Sequence, residues 1–309
     1  MEKIKIAAIQ MSTVADKMEN VRTVKTYLEK IKDENPDFVI LPEMFCCPYQ
    51  TENFPIYAEK EGGPVWQQLS GYAKQYGIYL IGGSMPEKDA EGNVYNTSYI
   101  FDREGKQIGK HRKVHLFDID VKGGQTFKES DTLTAGDSDT VFDTEFGKIG
   151  VMLCFDIRFP ELSRMMVNDG AKVIFVPAAF NMTTGPAHWE LSFRTRALDN
   201  QIYMVGCAPA RDVSAGYTYN DDFWPYEVYR YNEMENMYEC IASVEELDLN
   251  ACPEYKDNFP FKDDKDGDKK IYFVRFYEDS LRLDEGEYND WKEKLFESDL
   301  FELNWHTLS

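Results

Sequence analysis

The stretch Lys148-Ile149-Gly150-Val151-Met152-Leu153-Cys154-Phe155-Asp156-Ile157-Arg158-Phe159-Pro160-Glu161-Leu162 decides how this chain is read. An apolar run of the length of a buried strand closes on a thiol, and a helix signal follows at once. Pro160 suits a first helical turn, and Glu161 suits the positive end of the helix dipole. Cys154 is therefore expected at a strand-to-helix elbow, where backbone N–H groups point outward. Two other segments end in complementary groups. Phe38-Val39-Ile40-Leu41-Pro42-Glu43 brings a strand to a carboxylate, and His111-Arg112-Lys113-Val114-His115-Leu116-Phe117 sets a lysine in a short basic stretch. A thiol, a carboxylate and an ammonium at three element ends form a candidate acyl-transfer set.

On either side of this stretch strands and helices alternate. Ile4 through Met11 reads as a first strand. Val21, Val24, Leu28 and Ile31 then recur at helical spacing between Asp16 and Glu34, with Pro36 just beyond. Strand 38–42 follows, then a helix from Val65 to Tyr76 stopped by Gly77, and a strand from Ile78 to Gly82. Val94 to Asp102 and Gln107 to Lys113 flank the turn Arg103-Glu104-Gly105-Lys106, a hairpin signal. The last unit runs strand 148–154, helix 160–169, strand Val173 to Pro177, helix 187–200 and strand Ile202 to Cys207. Alternating elements with near-continuously apolar strands indicate a layered α/β protein. Periodicity alone does not choose between a doubly wound sheet and two stacked sheets.

The 309 residues, 43% of them apolar, support a sizeable core. Met1 to Met11 hold too short an apolar stretch for a secretory segment or a membrane span, so a cytoplasmic home is expected. The six cysteines (Cys46, Cys47, Cys154, Cys207, Cys240, Cys252) lack the framework of a stapled domain and read as free thiols. Adjacent Cys46 and Cys47 are expected to be packing residues rather than a redox pair. No CxxC pair occurs, and His111, His115, His188 and His306 form no HExxH pattern, so no zinc site is expected. A net charge of −21 speaks against nucleic acid, whose phosphates need a basic footprint. That charge is unevenly spread. Asn220 to Ser309 carry 25 acidic and 10 basic residues, net −15. Within them Lys262-Asp263-Asp264-Lys265-Asp266-Gly267-Asp268 resembles a calcium loop, but setting Gly267 at its sixth position leaves Lys262 first and Phe273 last, so a solvated acidic turn is expected.

Six motifs, LPEMF at 41–45, YLIGGS at 79–84, RKVHLFDIDV at 112–121, TFKES at 126–130, CFDIRFPEL at 154–162 and NMTTGPAHWE at 181–190, make the chain resemble the nitrilase superfamily of carbon–nitrogen hydrolases. Within that superfamily it is similar to the omega-amidases. The likeness runs from about Ile4 to Tyr219. It implies a four-layer α-β-β-α sandwich for residues 1–219, commonly paired through sheet-flanking helices into homodimers. Relatives continue with a Gly-His-Ser segment and a Pro-Trp-Gly hairpin that this chain lacks. Residues 220–309 are therefore read as an atypical acidic C-terminal segment, with strands near Tyr226 to Tyr231, Met237 to Val244 and Lys270 to Tyr277 and a helix from Tyr288 to Glu297. Replacement strands, a small appended module and a gene artefact that truncates the core all remain open for it.

The resemblance also implies the chemistry. Cys154 would attack an amide carbon, with Glu43 as general base and Lys113 and the N–H of Phe155 holding the oxyanion. Glu129 matches a second glutamate that positions the lysine, and two carboxylates around one ammonium keep it charged. No metal or organic cofactor is needed. Arg158 can pair bidentately with a substrate carboxylate or serve as a structural ion-pair partner, and the sequence leaves both open. Taken singly, a buried cysteine is usually inert packing and a strand-end Glu or Lys a solvated terminus. The expected substrates are small 2-oxo acids with a terminal amide, of the 2-oxoglutaramate or 2-oxosuccinamate type. Deaminated glutathione and N-carbamoyl amino acids are the alternatives, and a catalytically silent binding protein or chimera is a further one. Ammonia supply and amide salvage, both parts of nitrogen metabolism, fit such a reaction.

Overall fold

The computed structural model describes residues 3–120, 126–181 and 184–210, together with three strands at 229–232, 237–240 and 242–248. The chain begins with strand β1 (Lys3–Ile9), helix α1 (Lys17–Ile31), β2 (Phe38–Ile40), the short helix α2 (Asn53–Tyr57), helix α3 (Pro64–Tyr76) and β3 (Tyr79–Ile81). It continues through β4 (Met85–Lys88), β5 (Val94–Phe101), β6 (Gln107–Arg112) and a small hairpin of β7 (Asp118–Asp120) and β8 (Thr126–Lys128). The second half holds β9 (Val141–Thr144), β10 (Gly147–Val151), α4 (Pro160–Asn168), β11 (Val173–Pro177), α5 (Gly185–Asn200) and β12 (Tyr203–Cys207). Beyond it lie β13 (Tyr229–Asn232), β14 (Met237–Cys240) and β15 (Ala242–Asp248).

Local chemistry sets the helix ends. The Asp16 carboxylate accepts the N–H groups of Met18 and Glu19 and so caps α1. The helix then buries the stripe Val21, Val24, Leu28 and Ile31 that its periodicity announced. Pro64 opens α3, and Gly77, at φ 63°, closes it by donating its N–H to the carbonyl of Ala73.

Strands β1, β2 and β3 run parallel, and β5 pairs antiparallel with β3, β4 and β6. The second sheet has the order β12-β11-β10-β9; its first three strands are parallel and β9 is antiparallel to β10. The two sheets stack face to face: the ring of Phe38 on β2 meets that of Phe175 on β11 at 5.4 Å between centroids. Gln10 Nε2 donates to the carbonyl of Pro209, and the N–H of Ala210 to that of Met11, stitching the sheets near their ends. Helices α1 and α3 cover the outer face of the first sheet, and α4 and α5 that of the second. This is the α-β-β-α sandwich; each large side chain sealed between layers contributes about 1.5–3 kcal/mol. Among the described residues, no helix is long and apolar enough to cross a membrane.

Strand β15 lies antiparallel along β1, in register from Lys3 opposite Asp248 to Ile9 opposite Ala242. Part of the acidic C-terminal segment thus adds a strand to the first sheet and covers backbone that β1 would otherwise leave as an edge. β13 and β14 form a separate two-stranded ladder; the expected strand Tyr226 to Tyr231 overlaps β13, and the expected strand Met237 to Val244 is divided between β14 and β15. The expected strand Lys270 to Tyr277, the helix Tyr288 to Glu297, the Lys262 to Asp268 run, Cys252 and His306 lie outside the described residues.

Several boundaries differ from the sequence reading by one to three residues, and two of them shape the site. β10 ends at Val151, not 154, and a single 3-10 turn, Cys154–Arg158, precedes α4. Cys154 has φ 43°, a left-handed conformation that cannot continue a strand. β2 likewise stops at Ile40, because Pro42 has no N–H to give the ladder. Strands β4, β7, β8 and β9 carry too few apolar residues in sequence to have been anticipated.

Candidate active site

The site forms where three of these chain reversals meet. Glu43 sits in the turn after β2, which Gly83 and Ser84 hold from below. Gly83 has φ 59°, and a Cβ placed there would lie 2.2 Å from the carbonyl oxygen of Pro42. Only glycine permits that approach. Ser84 Oγ accepts the N–H of Met44 at 2.9 Å, and the N–H of Ser84 donates to the carbonyl of Pro42 at 3.2 Å. The Glu43 carboxylate is thus aimed inward by backbone contacts.

Lys113 follows β6, held there by its N–H donating to the carbonyl of Asn96. Its ammonium lies 2.9 Å from Glu43 Oε1 and 2.9 Å from Glu129 Oε1, with all three side chains inaccessible to solvent. Asn96 Nδ2 donates to Glu43 Oε1 at 2.8 Å, and the N–H of Phe117 donates to Glu129 Oε2 at 2.7 Å. The Tyr49 hydroxyl bridges the two carboxylates, 3.1 Å from Glu43 Oε1 and in a short hydrogen bond to Glu129 Oε1. Glu43 Oε2 is buried and takes no hydrogen bond from these neighbours. The thiol of Cys154 faces this carboxylate.

The charges order the protons. Burial alone would lower the Lys113 pKa, but the facing charges of Glu129 and Glu43 outweigh it and raise the net value, so the ammonium persists. Burial pushes the Cys154 thiol well above its ordinary range, and the Glu43 charge pushes it further, against the opposing pull of Lys113. Cys154 therefore rests as a thiol and needs a base to become a nucleophile. Burial also raises Glu129, against the lowering effect of Lys113. Cys154 is 7% exposed, and its sulfur accepts the N–H of Ala179 at 3.5 Å.

Asp156 fixes the elbow relative to the lysine. Its Oδ2 accepts the N–H of Leu153 at 3.0 Å and meets His111 Nε2 at 2.9 Å; its Oδ1 accepts the N–H of His115 at 2.8 Å and meets that ring's Nδ1 at 2.8 Å. Burial would raise this carboxyl, but the hydrogen bonds from His111 and His115 hold it far below the usual carboxylate range. His115 also stacks on Phe159 at 3.6 Å. One carboxylate two residues beyond Cys154 thus grips both histidines that stand two residues either side of Lys113.

Burial lowers the Arg158 pKa, against a raising influence from Cys154 four residues earlier in the chain. One amino group, Nη2, lies 2.8 Å from His188 Nδ1, the guanidinium carbon stands 5.2 Å from the ring centre of Phe180, and the buried Nε has no hydrogen-bond partner. Among the described residues no carboxylate pairs with it, so the structural ion-pair reading finds no partner. The Phe155 ring packs edge-on against Phe117 and Phe159 and walls the site with aromatic surface.

The structure brings Glu43, Lys113, Glu129 and Cys154 together and places Arg158 against His188 and Phe180, within the electrostatic influence of Cys154. Tyr49, Asn96, Asp156, His111, His115 and His188 were not anticipated. The polar run Asn96-Thr97-Ser98 between apolar and aromatic residues of β5 was a readable signal, as was the symmetric spacing of His111 and His115 about Lys113. Nothing near Tyr49 in sequence marked it. Among the described residues, no three His, Cys, Asp or Glu side chains are placed to share a metal ion.

The sequence profile of the carbon–nitrogen hydrolase family matches residues 5–229. The chain is 49% identical over 217 residues to omega-amidase NIT2-A of Xenopus laevis, covering 70% of this chain and 78% of that protein. It is 46% identical over 215 residues to a protein named as a hydrolase in Schizosaccharomyces pombe, covering 69% of this chain and 66% of that one. Among solved structures, Saccharomyces cerevisiae Nit3, described as a member of branch 10 of the nitrilase superfamily, superposes with a TM-score of 0.69 at 37% identity, over 81% of this chain and 92% of that one.

Proposed function

The chain belongs to the carbon–nitrogen hydrolase family and is a hydrolase acting on amides; from that premise we propose that it cleaves the terminal amide of a small 2-oxo acid, of the 2-oxoglutaramate or 2-oxosuccinamate type, to the acid and ammonia. The observation that carries the substrate class is Arg158, a half-buried cation four residues after the thiol whose buried Nε has no hydrogen-bond partner and which pairs with no carboxylate among the described residues. Such a charge is costly to bury unless a ligand completes it. The omega-amidase relatives support the same class.

In the proposed reaction Glu43 Oε2 takes the Cys154 proton as the sulfur attacks the amide carbon. The carbonyl oxygen becomes an oxyanion held by the Lys113 ammonium and the N–H of Phe155, which lies in the first turn of a short helix where N–H groups lack intrahelical acceptors. Glu43 passes the proton to the nitrogen, the carbon–nitrogen bond breaks, and ammonia departs, leaving a thioester. Glu43 then deprotonates a water that attacks this thioester; the sulfur leaves and recovers the proton. Glu129 and Glu43 keep Lys113 charged, and Tyr49, hydrogen-bonded to both carboxylates, holds them in place.

An amide panel tests this reading. Wild-type enzyme is expected to release ammonia from 2-oxoglutaramate with a kcat/KM well above that for uncharged amides. Arg158→Met is expected to lose roughly 10- to 100-fold on the 2-oxo acid, the value of a charge-assisted hydrogen-bonded pair, and little on uncharged amides. Turnover of N-carbamoyl amino acids in place of 2-oxoglutaramate would move the enzyme to another branch.

We also assign a homodimer, packed through the outer faces of α4 and α5. Met165, Leu191 and Leu198 leave 51%, 64% and 49% of their surface exposed there, and Leu191 and Leu198 are two helical turns apart on one stripe. Sedimentation equilibrium is expected to give twice the chain mass; a monomer at all concentrations contradicts the assignment. A cytoplasmic location is proposed as well; it fits the free thiols of Cys46, Cys47 and Cys154, and cell fractionation checks it.

A further inference from the structure

We infer that His188 is a positioning residue that sets substrate specificity: as an uncharged acceptor it aims the Arg158 guanidinium into the pocket and leaves the full positive charge for a substrate carboxylate. This rests on the reading of Arg158 given above. A guanidinium has only donors, so the 2.8 Å contact makes His188 Nδ1 the acceptor and places the imidazole proton on Nε2. That is the neutral ring. Burial and the neighbouring Arg158 charge both lower the His188 pKa, which preserves this form.

The setting of Arg158 differs in kind from those of Arg112 and Arg103. Arg112 forks onto Glu87 through Nε and Nη2, and Arg103 binds Asp37 and Glu145. Those charges are compensated within the fold. Arg158 has an imidazole on one amino group and the Phe180 ring 5.2 Å away, and neither carries charge. Its Nε, buried and unpartnered, is the donor a carboxylate oxygen would satisfy. His188 is itself fixed: its N–H donates to the carbonyl of Thr184 in the first turn of α5, and Trp189 beside it packs edge-on to Phe180 at 5.2 Å. An acidic residue at 188 would orient the guanidinium equally well but would neutralise it and compete with the substrate.

The test is a set of steady-state measurements on 2-oxoglutaramate and on butyramide, an uncharged amide, with wild type, His188→Ala, His188→Asn and His188→Glu. His188→Ala is expected to raise KM for 2-oxoglutaramate about fivefold to tenfold, the effect of losing one hydrogen bond that orients a charge. Its kcat should stay near wild type, and butyramide kinetics should not change. His188→Asn, which keeps a side-chain acceptor, should recover most of the loss, and His188→Glu should erase the preference for the carboxylated amide. Equal KM increases on both amides, or no change in any variant, would overturn the inference. If the wild type shows no preference for 2-oxoglutaramate, the Arg158 reading falls and this inference with it. If the wild type shows that preference and His188→Ala and His188→Glu keep it, only the role of His188 falls. Circular dichroism identifies any variant that fails to fold, and the remaining variants then decide.

Discussion

Cys154→Ala is expected to lower amide turnover by roughly four orders of magnitude or more while leaving the fold intact. Loss of a nucleophile removes the covalent route, and what survives comes only from binding and oxyanion contacts. The structural cost is small. Alanine has the same Cβ and meets the same left-handed backbone at φ 43°, and the sulfur's one backbone hydrogen bond, from Ala179 at 3.5 Å, is long. Truncating one buried atom costs about 1 kcal/mol. Ammonia release and thermal melting, measured on the same preparation, should therefore separate cleanly: activity at background, melting temperature within a few degrees of wild type by the usual size scaling. Parallel loss of both would mean that Cys154 is a packing residue.

Lys113→Met is expected to remove activity and stability together. The ammonium sits 2.9 Å from both Glu43 and Glu129, all sealed from solvent. Removing it leaves two carboxylates facing each other in the interior, and breaking such a buried arrangement from one side costs about 3–5 kcal/mol. The pH dependence has a definite sign. Burial already raises the Glu129 pKa, and without the lysine its neutral form is favoured further, so proton uptake relieves the repulsion. The deficit relative to wild type should be larger at mildly alkaline than at mildly acidic pH. Urea unfolding across that range checks it, and a deficit that does not vary with pH contradicts the assigned charges.

These expectations also show what the amino-acid sequence could convey. The α1 stripe from Val21 to Ile31 and the apolar run into Cys154 were legible because burial imposes a period on side chains that face a core. The ends of β2 and β10 were not, because Pro42 and the left-handed Cys154 stop those strands by backbone geometry rather than by a change in hydropathy. Short strands such as β9, with one buried residue, Phe142, carry almost no pattern. The pairing of β15 with β1 joins positions more than two hundred residues apart, and no local signal encodes such a register.

The site divides along the same line. Cys154, Glu43 and Lys113 were named from their places at element ends and Glu129 from motif resemblance; their convergence is a property of the stacked sheets, which no single segment contains. Tyr49 and Asp156 were missed because each acts through long-range contacts, Tyr49 across two glutamates and Asp156 across two histidines. Arg158 was seen with two roles open. The structure adds that no carboxylate pairs with it among the described residues, an observation about three-dimensional neighbours on which the proposed substrate role draws.

The central claim is that a thiol facing Glu43 and Lys113 forms a covalent acyl intermediate. Rapid acid quenching of wild-type enzyme during turnover of 2-oxoglutaramate, followed by peptide mass spectrometry, tests it most directly. An adduct with the mass of the acyl group should appear on the peptide containing Cys154 and should be missing from Cys154→Ala. An adduct on Cys46, Cys47 or Cys207 instead, or wild-type turnover by Cys154→Ala, would contradict the account.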